Sequence, residues 1–179
     1  MENKNHSSLP VLKTERLTLR QLSTNDGKEI FTLRSDIDVN QYLHRQLSIT
    51  IEDAVNFIEK INMSIAKNDS FYWAITLTQT KNFVGTVCLF NILENKSSCE
   101  IGYELLKNFQ GLGIMSEAVS SVIDFAFQTL KIKKIEACTH TLNLSSTKLL
   151  TKAGFEKSAD AKTENIDFHQ YLLKSRNIG

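Results

Sequence analysis

The sequence predicts a mixed α/β fold of the α+β class, with a central, mostly antiparallel mixed sheet of about six to seven strands and about four flanking helices. Three strand-like runs, residues 71–77, 83–90 and 99–106, follow one another across short polar turns, so their hairpin connections make them antiparallel. An amphipathic helix then separates the third run from a further strand-like segment at residues 134–141. This strand–helix–strand order predicts a right-handed parallel crossover.

The first half of the chain is predicted to contain one strand and two helices. The 179 residues fit a single domain, which we assign to residues 14–179 behind a flexible polar leader at residues 1–13. Leu17 and Leu19 alternate with polar residues and predict a half-buried strand. Residues 36–49 are predicted to be irregular. Two helix starts have capping-box spacing, Ser23 with Asp26 and Thr50 with Asp53, and the second helix has one apolar face at Ile51, Ala54, Val55, Ile58, Ile61 and Ile65.

The second half continues with two helices and the last strands. A helix over about residues 116–130 follows the third strand, and a shorter helix over residues 145–153 follows the fourth. Gly154 fits the position just after the shorter helix, where a left-handed backbone is needed. Residues 155–160 and 166–173 predict two closing strands.

Charge, hydropathy and cysteine usage exclude several classes of protein. The 21 basic and 20 acidic residues give a net charge of +1 and form no basic half, which argues against a nucleic-acid partner. No apolar stretch reaches membrane-spanning length, so no membrane partner is expected. Cys88, Cys99 and Cys138 form no CxxC pair and have no paired histidines, so neither a disulfide framework nor a metal site is expected. We expect buried free thiols in a cytoplasmic protein.

The segment Gln110–Met115 is the most informative motif in the chain. It reads Gln-Gly-Leu-Gly-Ile-Met and lies between a strand and an amphipathic helix. Glycines allow close backbone approach, and a helix N-terminus offers unpaired N–H groups, so the segment suits a phosphate or pyrophosphate. A dinucleotide motif would need a third glycine where Ser116 stands, and a Walker loop would need Gly-Lys-Ser/Thr. A glycine-rich turn without a ligand remains open on spacing alone.

Four motifs in order resemble one enzyme superfamily. Gln110-x-x-Gly113-x-Met115 resembles the acyl-CoA signature of the GNAT N-acetyltransferases, although a small residue is usual at the last position. The other three match the branch that resembles the ribosomal-protein N-terminal (alanine/serine) acetyltransferases. They are Thr14–Arg20, Glu100–Tyr103, and Asn143-x-x-Ser146 leading to Lys152–Phe155. The resemblance spans about residues 14–173.

The resemblance implies acetyl-CoA as co-substrate, no metal, and a sheet splayed at the acyl-CoA site. The pantetheine arm would enter the splay, with backbone groups supplied by Leu105, Leu106 and Lys107. Asn143 would hydrogen-bond the arm or a water, while a cap for the following helix is an equally good reading. The pyrophosphate would be held by Gln110, Gly111, Leu112, Gly113, Ile114, Met115 and Ser116. The side chain of Met115 is expected to crowd the phosphates.

The resemblance also names candidates for the chemistry. Glu100 is the first candidate for the base that deprotonates the amine, with a cross-strand lysine partner as the alternative role, and Glu104 is the second. Many superfamily members have a tyrosine acid at the position that Leu150 occupies here. Ser146, one helical turn earlier, could instead donate to the departing sulfur. Direct attack needs no covalent intermediate, so the cysteines are expected to be core residues.

The acceptor is an amine that the sequence does not name. Tyr42 and His44, in the irregular segment, are predicted to form the lip of its pocket. A protein N-terminus, a polyamine, an amino sugar and an antibiotic all remain open, as do a monomer and a homodimer. A non-catalytic acyl-CoA-binding sensor or interaction module is the alternative function, and a module for NAD or nucleotides is a third.

Overall fold

The computed structural model describes residues 9–43, 45–159 and 167–175. In these ranges the chain forms one open sheet of eight strands flanked by five α-helices. The strands are β1 (Leu12–Lys13), β2 (Leu17–Gln21), β3 (Phe71–Leu77), β4 (Phe83–Phe90), β5 (Cys99–Leu105), β6 (Lys134–His140), β7 (Glu156–Lys157) and β8 (Phe168–Lys174). The helices are α1 (Gly27–Ser35), α2 (Ile37–Asn40), α3 (Ile51–Ala66), α4 (Ile114–Asp124) and α5 (Leu144–Lys152).

The sheet is mixed, as predicted. Its strand order is β1-β2-β3-β4-β5-β6-β8-β7, and every neighbouring pair is antiparallel except β5 with β6. The parallel pair is the crossover that the sequence predicts, and α4 forms its connection. The crossover places the glycine-rich segment between the end of β5 and the start of α4.

The helices begin where the capping residues predict. Ser23 and Asp26 form a capping box on a 3₁₀ turn, Thr24–Asp26, that leads directly into α1. Thr50 and Asp53 form a second capping box at the start of α3. Each box satisfies backbone N–H groups that a helix N-terminus would otherwise leave unpaired. The first box therefore marks where the chain enters α1, and the second marks the end of the segment that connects α1 to α3.

The core lies between the sheet and the helices. Leu17 and Leu19 are fully buried and alternate on β2 with partly exposed residues, which confirms the predicted half-buried strand. Trp73 is also fully buried, and its indole N–H donates to the Pro10 carbonyl at 2.8 Å. Gly154 has φ +89° after α5, as its position predicts, and Phe155 folds back into the core.

Three element predictions need correction. Residues 9–13 of the predicted leader belong to the fold, since Leu9 is buried and β1 pairs with β2; residues 1–8 lie outside the described residues. The segment at residues 36–49 contains α2, whose N-terminus is capped by Asp36. The crossover helix starts at Ile114, two residues earlier than predicted, and ends in a π-helical turn, Phe125–Thr129. Residue 160, the last of the predicted strand at 155–160, and residue 166, the first of the predicted strand at 166–173, lie outside the described residues.

Among the described helices, none combines the length and the apolar character that crossing a membrane requires.

Candidate active site

Strands β5 and β6 separate shortly after they meet. They pair only at Cys99–Ile135 and Glu100–Glu136, although both strands continue beyond these pairs. The sheet is therefore splayed in the middle, with unpaired strand edges on either side. A cavity of about 230 Å³ occupies this opening, and we call it the gap cavity. It is lined by Tyr42, Leu43, Ile101, Gly102, Tyr103, Ala137, Cys138, Thr139, His140, Asn143, Ser146 and Phe168.

A second cavity adjoins the gap cavity along β5. Its volume is about 270 Å³, and we call it the side cavity. The two cavities share Leu43, Gly102 and Tyr103 in their linings. Gly102 leaves room here, since a Cβ on it would lie 3.3 Å from both Cys88 Sγ and the Phe90 ring. The side cavity is lined by Leu43, Arg45, Tyr72, Thr86, Cys88, Phe90, Gly102, Tyr103 and Glu104.

A pair of hydroxyl groups stands at the wall of the gap cavity. Tyr103 Oη lies 2.8 Å from Ser146 Oγ, and both residues line the cavity. Burial raises the pKa of Tyr103 to about 12, although the hydrogen bond with Ser146 opposes the shift, so the phenol stays protonated at neutral pH. Asn143 also lines the cavity, and its Oδ1 caps α5 by accepting from the Ser146 N–H at 3.1 Å. The capping role predicted for Asn143 is thus confirmed.

The glycine-rich segment forms a tight loop at the N-terminus of α4. Gly111 and Gly113 have φ of +75° and +76°, a conformation that L side chains rarely adopt. No side chain of the described residues caps α4, so its first-turn N–H groups are left for another partner. Gln110 Nε2 donates to the Leu105 carbonyl at 3.1 Å and ties the loop to the end of β5. This arrangement fits an anionic group such as a pyrophosphate.

An ion pair braces this loop from the side of β2. Arg16 Nε donates to Glu117 Oε2 at 2.6 Å, and Arg16 Nη1 donates to the Leu112 carbonyl at 3.1 Å. Glu117, in the first turn of α4, also accepts from Thr14 Oγ1 and from the Arg16 N–H. Burial alone would raise the pKa of Glu117, but these hydrogen bonds outweigh burial and lower it. Thr14 and Arg16 of the predicted Thr14–Arg20 motif therefore help to hold the loop and the first turn of α4 in position.

Two predictions for the cofactor-binding residues are revised by the geometry. The Leu106 N–H donates to the Val84 carbonyl at 2.9 Å, on the β4 side, so it does not face the gap. Backbone groups alternate between strand edges, which leaves the Leu105 N–H for the gap side. Lys107 lies beyond β5 in a 3₁₀ turn, where its carbonyl accepts from the Gln110 N–H. Met115 is only 7% exposed and belongs to the hydrophobic core. Its side chain packs inward from α4, so it does not crowd a phosphate at the loop.

The two candidate bases occupy different places. The Glu100 carboxylate accepts a hydrogen bond from Asn91 Nδ2 at 2.8 Å and is absent from the lining of both cavities. Its cross-strand partner is thus an asparagine rather than a lysine. Glu104 lines the side cavity, where Arg45 holds it through two hydrogen bonds of 2.5 and 2.6 Å. Of the two carboxylates, Glu104 is the closer to where an acceptor could bind.

The predicted lip of the acceptor pocket is only partly described. Tyr42 lines the gap cavity rather than the side cavity, and its ring lies 5.2 Å from the His140 ring between centroids. His44 lies outside the described residues. The neighbouring Arg45 is held by Asn40, whose Oδ1 accepts from Arg45 Nε at 2.6 Å.

The cysteines lie at or near the cavities but are poor nucleophiles. Burial raises the pKa of Cys88 and of Cys99 to about 12, so both stay protonated at neutral pH. Cys138 is exposed, contrary to the expectation of a buried thiol, because it points away from the buried side of β6 into the gap cavity. Among the described residues, no group of histidine, cysteine and carboxylate side chains could hold a metal ion.

Several site residues carry no sequence signal of their own. Tyr103 falls inside the Glu100–Tyr103 motif, but that motif predicted neither a role for Tyr103 nor its contact with Ser146. Arg45 lies in a segment without periodicity, and its partner Glu104 is 59 residues away. Only the folded sheet brings these residues together.

The comparisons with known proteins agree with this geometry. The acetyltransferase (GNAT) domain family matches residues 16–156. The uncharacterized N-acetyltransferase YoaA of Bacillus subtilis is 32% identical over 148 residues, covering 83% of this chain and 84% of the relative. The uncharacterized N-acetyltransferase p20 of Bacillus licheniformis is 32% identical over 175 residues, covering 94% and 98%. The crystal structure of ribosomal-protein-S5-alanine acetyltransferase from Vibrio fischeri superposes with a TM-score of 0.79 at 22% identity, covering 94% and 98%.

The chain belongs to the GNAT acetyltransferase family. It is an acetyl-CoA-dependent N-acetyltransferase, which transfers an acetyl group from acetyl-CoA to an amine. The resemblance to the ribosomal-protein acetyltransferases is confirmed, since they are among its relatives and structural neighbours. A non-catalytic acyl-CoA-binding module is not supported, because the named relatives are acetyltransferases.

Proposed function

We propose that the chain acetylates a primary amine bound in the side cavity, using acetyl-CoA held in the gap cavity. The observation that carries this proposal is the wall shared by the two cavities at Leu43, Gly102 and Tyr103. An amine in the side cavity and a thioester in the gap cavity would meet beside these shared residues. Direct attack in a ternary complex then needs no covalent enzyme intermediate, and positioning of the two reactants supplies much of the rate.

The cofactor is held at three places in this proposal. The loop of residues 110–116 and the N-terminus of α4 bind the pyrophosphate through backbone N–H groups. The Leu105 backbone N–H pairs with the pantetheine arm as an extra strand would. Asn143, beside the arm, caps α5 and so sets the orientation of Ser146.

Ser146 is proposed to donate a proton toward the departing thiolate. Ser146 lines the gap cavity, and its hydroxyl forms a hydrogen bond with the hydroxyl of Tyr103 on β5. The amine loses its proton to a carboxylate or to water. Glu104 is better placed than Glu100 for this task, since only Glu104 lines a cavity. Glu100 remains the base predicted from the resemblance and acts, in that case, through water.

The acceptor is proposed to be a small-molecule amine or the N-terminus of a protein, in a cytoplasmic setting. Ribosomal-protein acetyltransferases among the relatives support the second kind of acceptor. The side cavity of about 270 Å³ supports the first, because it is large enough for a small amine. The three free cysteines are consistent with a reducing compartment. A monomer and a homodimer are both compatible with this site.

The test is to measure acetyl-CoA turnover with a panel of amines, using release of the CoA thiol as the readout. We expect release that depends on the amine and a drop of roughly a hundredfold in kcat/KM for Glu104→Gln or Glu100→Gln, whichever is the base. The loss should shrink as pH rises, because more of the amine arrives unprotonated. Normal CoA binding without amine-dependent release across the panel would contradict the proposal. Near wild-type rates in both variants would assign the proton to water.

A further inference from the structure

We propose that the acceptor is a primary amine with a carboxylate next to its amino group, as in a free α-amino acid. This inference rests on the proposed function, which places the acceptor in the side cavity. It names the two charged residues of that cavity as the groups that select the acceptor. Glu104 binds the ammonium and Arg45 binds the carboxylate.

The selecting pair is a two-point ion pair inside the side cavity. Arg45 Nη1 and Nη2 donate to the two carboxylate oxygens of Glu104 at 2.5 and 2.6 Å. The side chains are only 18% and 14% exposed, so their mutual pairing matters more than it would in open solvent. Among the described residues that line the side cavity, these two are the charged ones. An acceptor with one charge would disturb this balance.

The exchange of partners explains why a zwitterion fits. An ammonium that displaced Arg45 from Glu104 would leave the Arg45 guanidinium without its carboxylate. An unpaired charge on a side chain that is only 18% exposed costs free energy. A carboxylate on the same acceptor removes this cost, because the planar guanidinium binds carboxylates in the same forked geometry. One internal ion pair is thus replaced by two pairs with the acceptor, and every charge keeps a partner.

Positive charge exceeds negative charge around this pair. The guanidinium of Arg34 stacks over the Phe57 ring at 3.9 Å from its centroid, and its Nε is buried without a hydrogen-bond partner among the described residues. Burial lowers the pKa of Arg34, Arg45 lowers it further, and Glu104 opposes them. Arg34 lies outside the lining of the side cavity, and its guanidinium adds a second positive charge whose field reaches Arg45 and Glu104. This excess favours an acceptor that brings an anionic group and disfavours a polyamine.

The rest of the side cavity suits an apolar body. Tyr72, Phe90 and Leu43 contribute apolar groups to its lining. The Tyr72 hydroxyl is already used, since it donates to Thr86 Oγ1 at 3.1 Å. Apolar side chains of amino acids are thus the matched probes for the remaining space.

The experiment compares three forms of each acceptor: the amino acid, its amide and the amine that lacks the carboxyl group. Alanine, leucine and phenylalanine provide small, medium and large side chains, and spermidine provides a polycation. Turnover is measured as thiol release from acetyl-CoA, and binding to the CoA-bound enzyme by calorimetry. For at least one side chain, we expect the amino acid to exceed both its amide and its amine by about tenfold or more in kcat/KM and in affinity.

The variants assign this preference to Arg45. Arg45→Met should remove the advantage of the amino acid, because its carboxylate loses its partner while the amide and the amine no longer have to displace Arg45 from Glu104. The measured quantity is the ratio of kcat/KM for the amino acid to kcat/KM for its amide and its amine. Lys134→Met is the matched control, since it removes the cation of the Lys134–Glu136 pair on β6, outside both cavities. Melting temperatures and CoA binding report whether each variant is folded.

Two results would overturn the inference. One is an amide or an amine that equals or exceeds its amino acid for all three side chains, in both turnover and binding. The other is a preference that survives in Arg45→Met. Binding keeps the inference separate from the proposed function: a CoA-bound enzyme that prefers amino acids but releases no thiol contradicts the transfer reaction, not the choice of acceptor.

Discussion

The hydroxyl of Tyr103 on β5 and the hydroxyl of Ser146 on α5 lie 2.8 Å apart at the wall of the gap cavity. Tyr103 and Ser146 are 43 residues apart in sequence, and their contact links β5 to α5, the helix that follows β6. Either hydroxyl can be the donor of this hydrogen bond, and a phenol with a pKa of about 12 keeps its proton over the working pH range. The pair is therefore suited to pass a proton toward a thiolate in the gap.

Ser146→Ala should lower kcat by about tenfold to a hundredfold with little change in the affinity for acetyl-CoA. The removed group acts on the departing sulfur and not on the phosphates. Tyr103→Phe keeps the Ser146 donor and should cost less. Steady-state rates for both variants check the expectation. A larger loss for Tyr103→Phe than for Ser146→Ala would make the tyrosine, rather than the serine, the acid.

Gly113→Asp should abolish the rise in melting temperature that CoA produces. The substitution places a side chain on a residue with φ +76° and a carboxylate at the N-terminus of α4, where it repels phosphates. Gly154→Ala is the matched control, since Gly154 also has a left-handed backbone, φ +89°, but lies after α5. The control should lower the melting temperature and keep the CoA-induced rise. A normal rise in Gly113→Asp would show that the loop does not hold the phosphates.

Met115→Ala should destabilise the fold without weakening CoA binding. Met115 is 7% exposed in the core, and truncation of such a side chain to alanine costs about 2–5 kcal/mol. Denaturant unfolding measures the stability, and titration with CoA measures the affinity. A variant of wild-type stability that binds CoA more tightly would restore the idea that this side chain crowds the phosphates.

Glu117→Gln should weaken CoA binding and remove part of the acid sensitivity of the fold. The depressed pKa of Glu117 stabilises the native state above the unfolded-state value of about 4.5, and this stabilisation is lost as pH falls through the lower folded-state value. The variant should therefore be less stable than the wild type at neutral pH, and this difference should shrink as the pH falls through the folded-state pKa of Glu117. Melting temperatures from pH 7 to pH 3 check this. An unchanged pH dependence would mean that the pairing with Arg16 contributes little.

Much of the fold could be predicted from local pattern. The capping boxes at Ser23 and Thr50, the hairpin-linked strands and the left-handed Gly154 each follow from a few neighbouring residues. Helix α2 was missed because its start depends on one capping side chain, Asp36, and it is only four residues long. Strand β1 was missed because two residues show no periodicity, and only their pairing with β2 defines them.

The site was predictable where it is local and not where it depends on long-range contacts. The loop with Gly111 and Gly113 follows from glycine spacing before an amphipathic helix. The inward direction of Met115 follows from the helix starting at Ile114, since Met115 then lies three and four residues before the buried Ala118 and Val119, on the same face. The pairing of Arg45 with Glu104 has no sequence pattern, because it depends on how the segment before α3 crosses β5.

The most direct test of the account is a crystal structure with CoA bound. We predict density for the pantetheine arm between β5 and β6, beyond the Glu100–Glu136 pair, with the pyrophosphate on residues 110–116. The sulfur should lie near the shared wall of the two cavities, within reach of the Ser146 hydroxyl. CoA bound away from this opening, or a gap closed by pairing of β5 with β6 along their full length, would contradict the account.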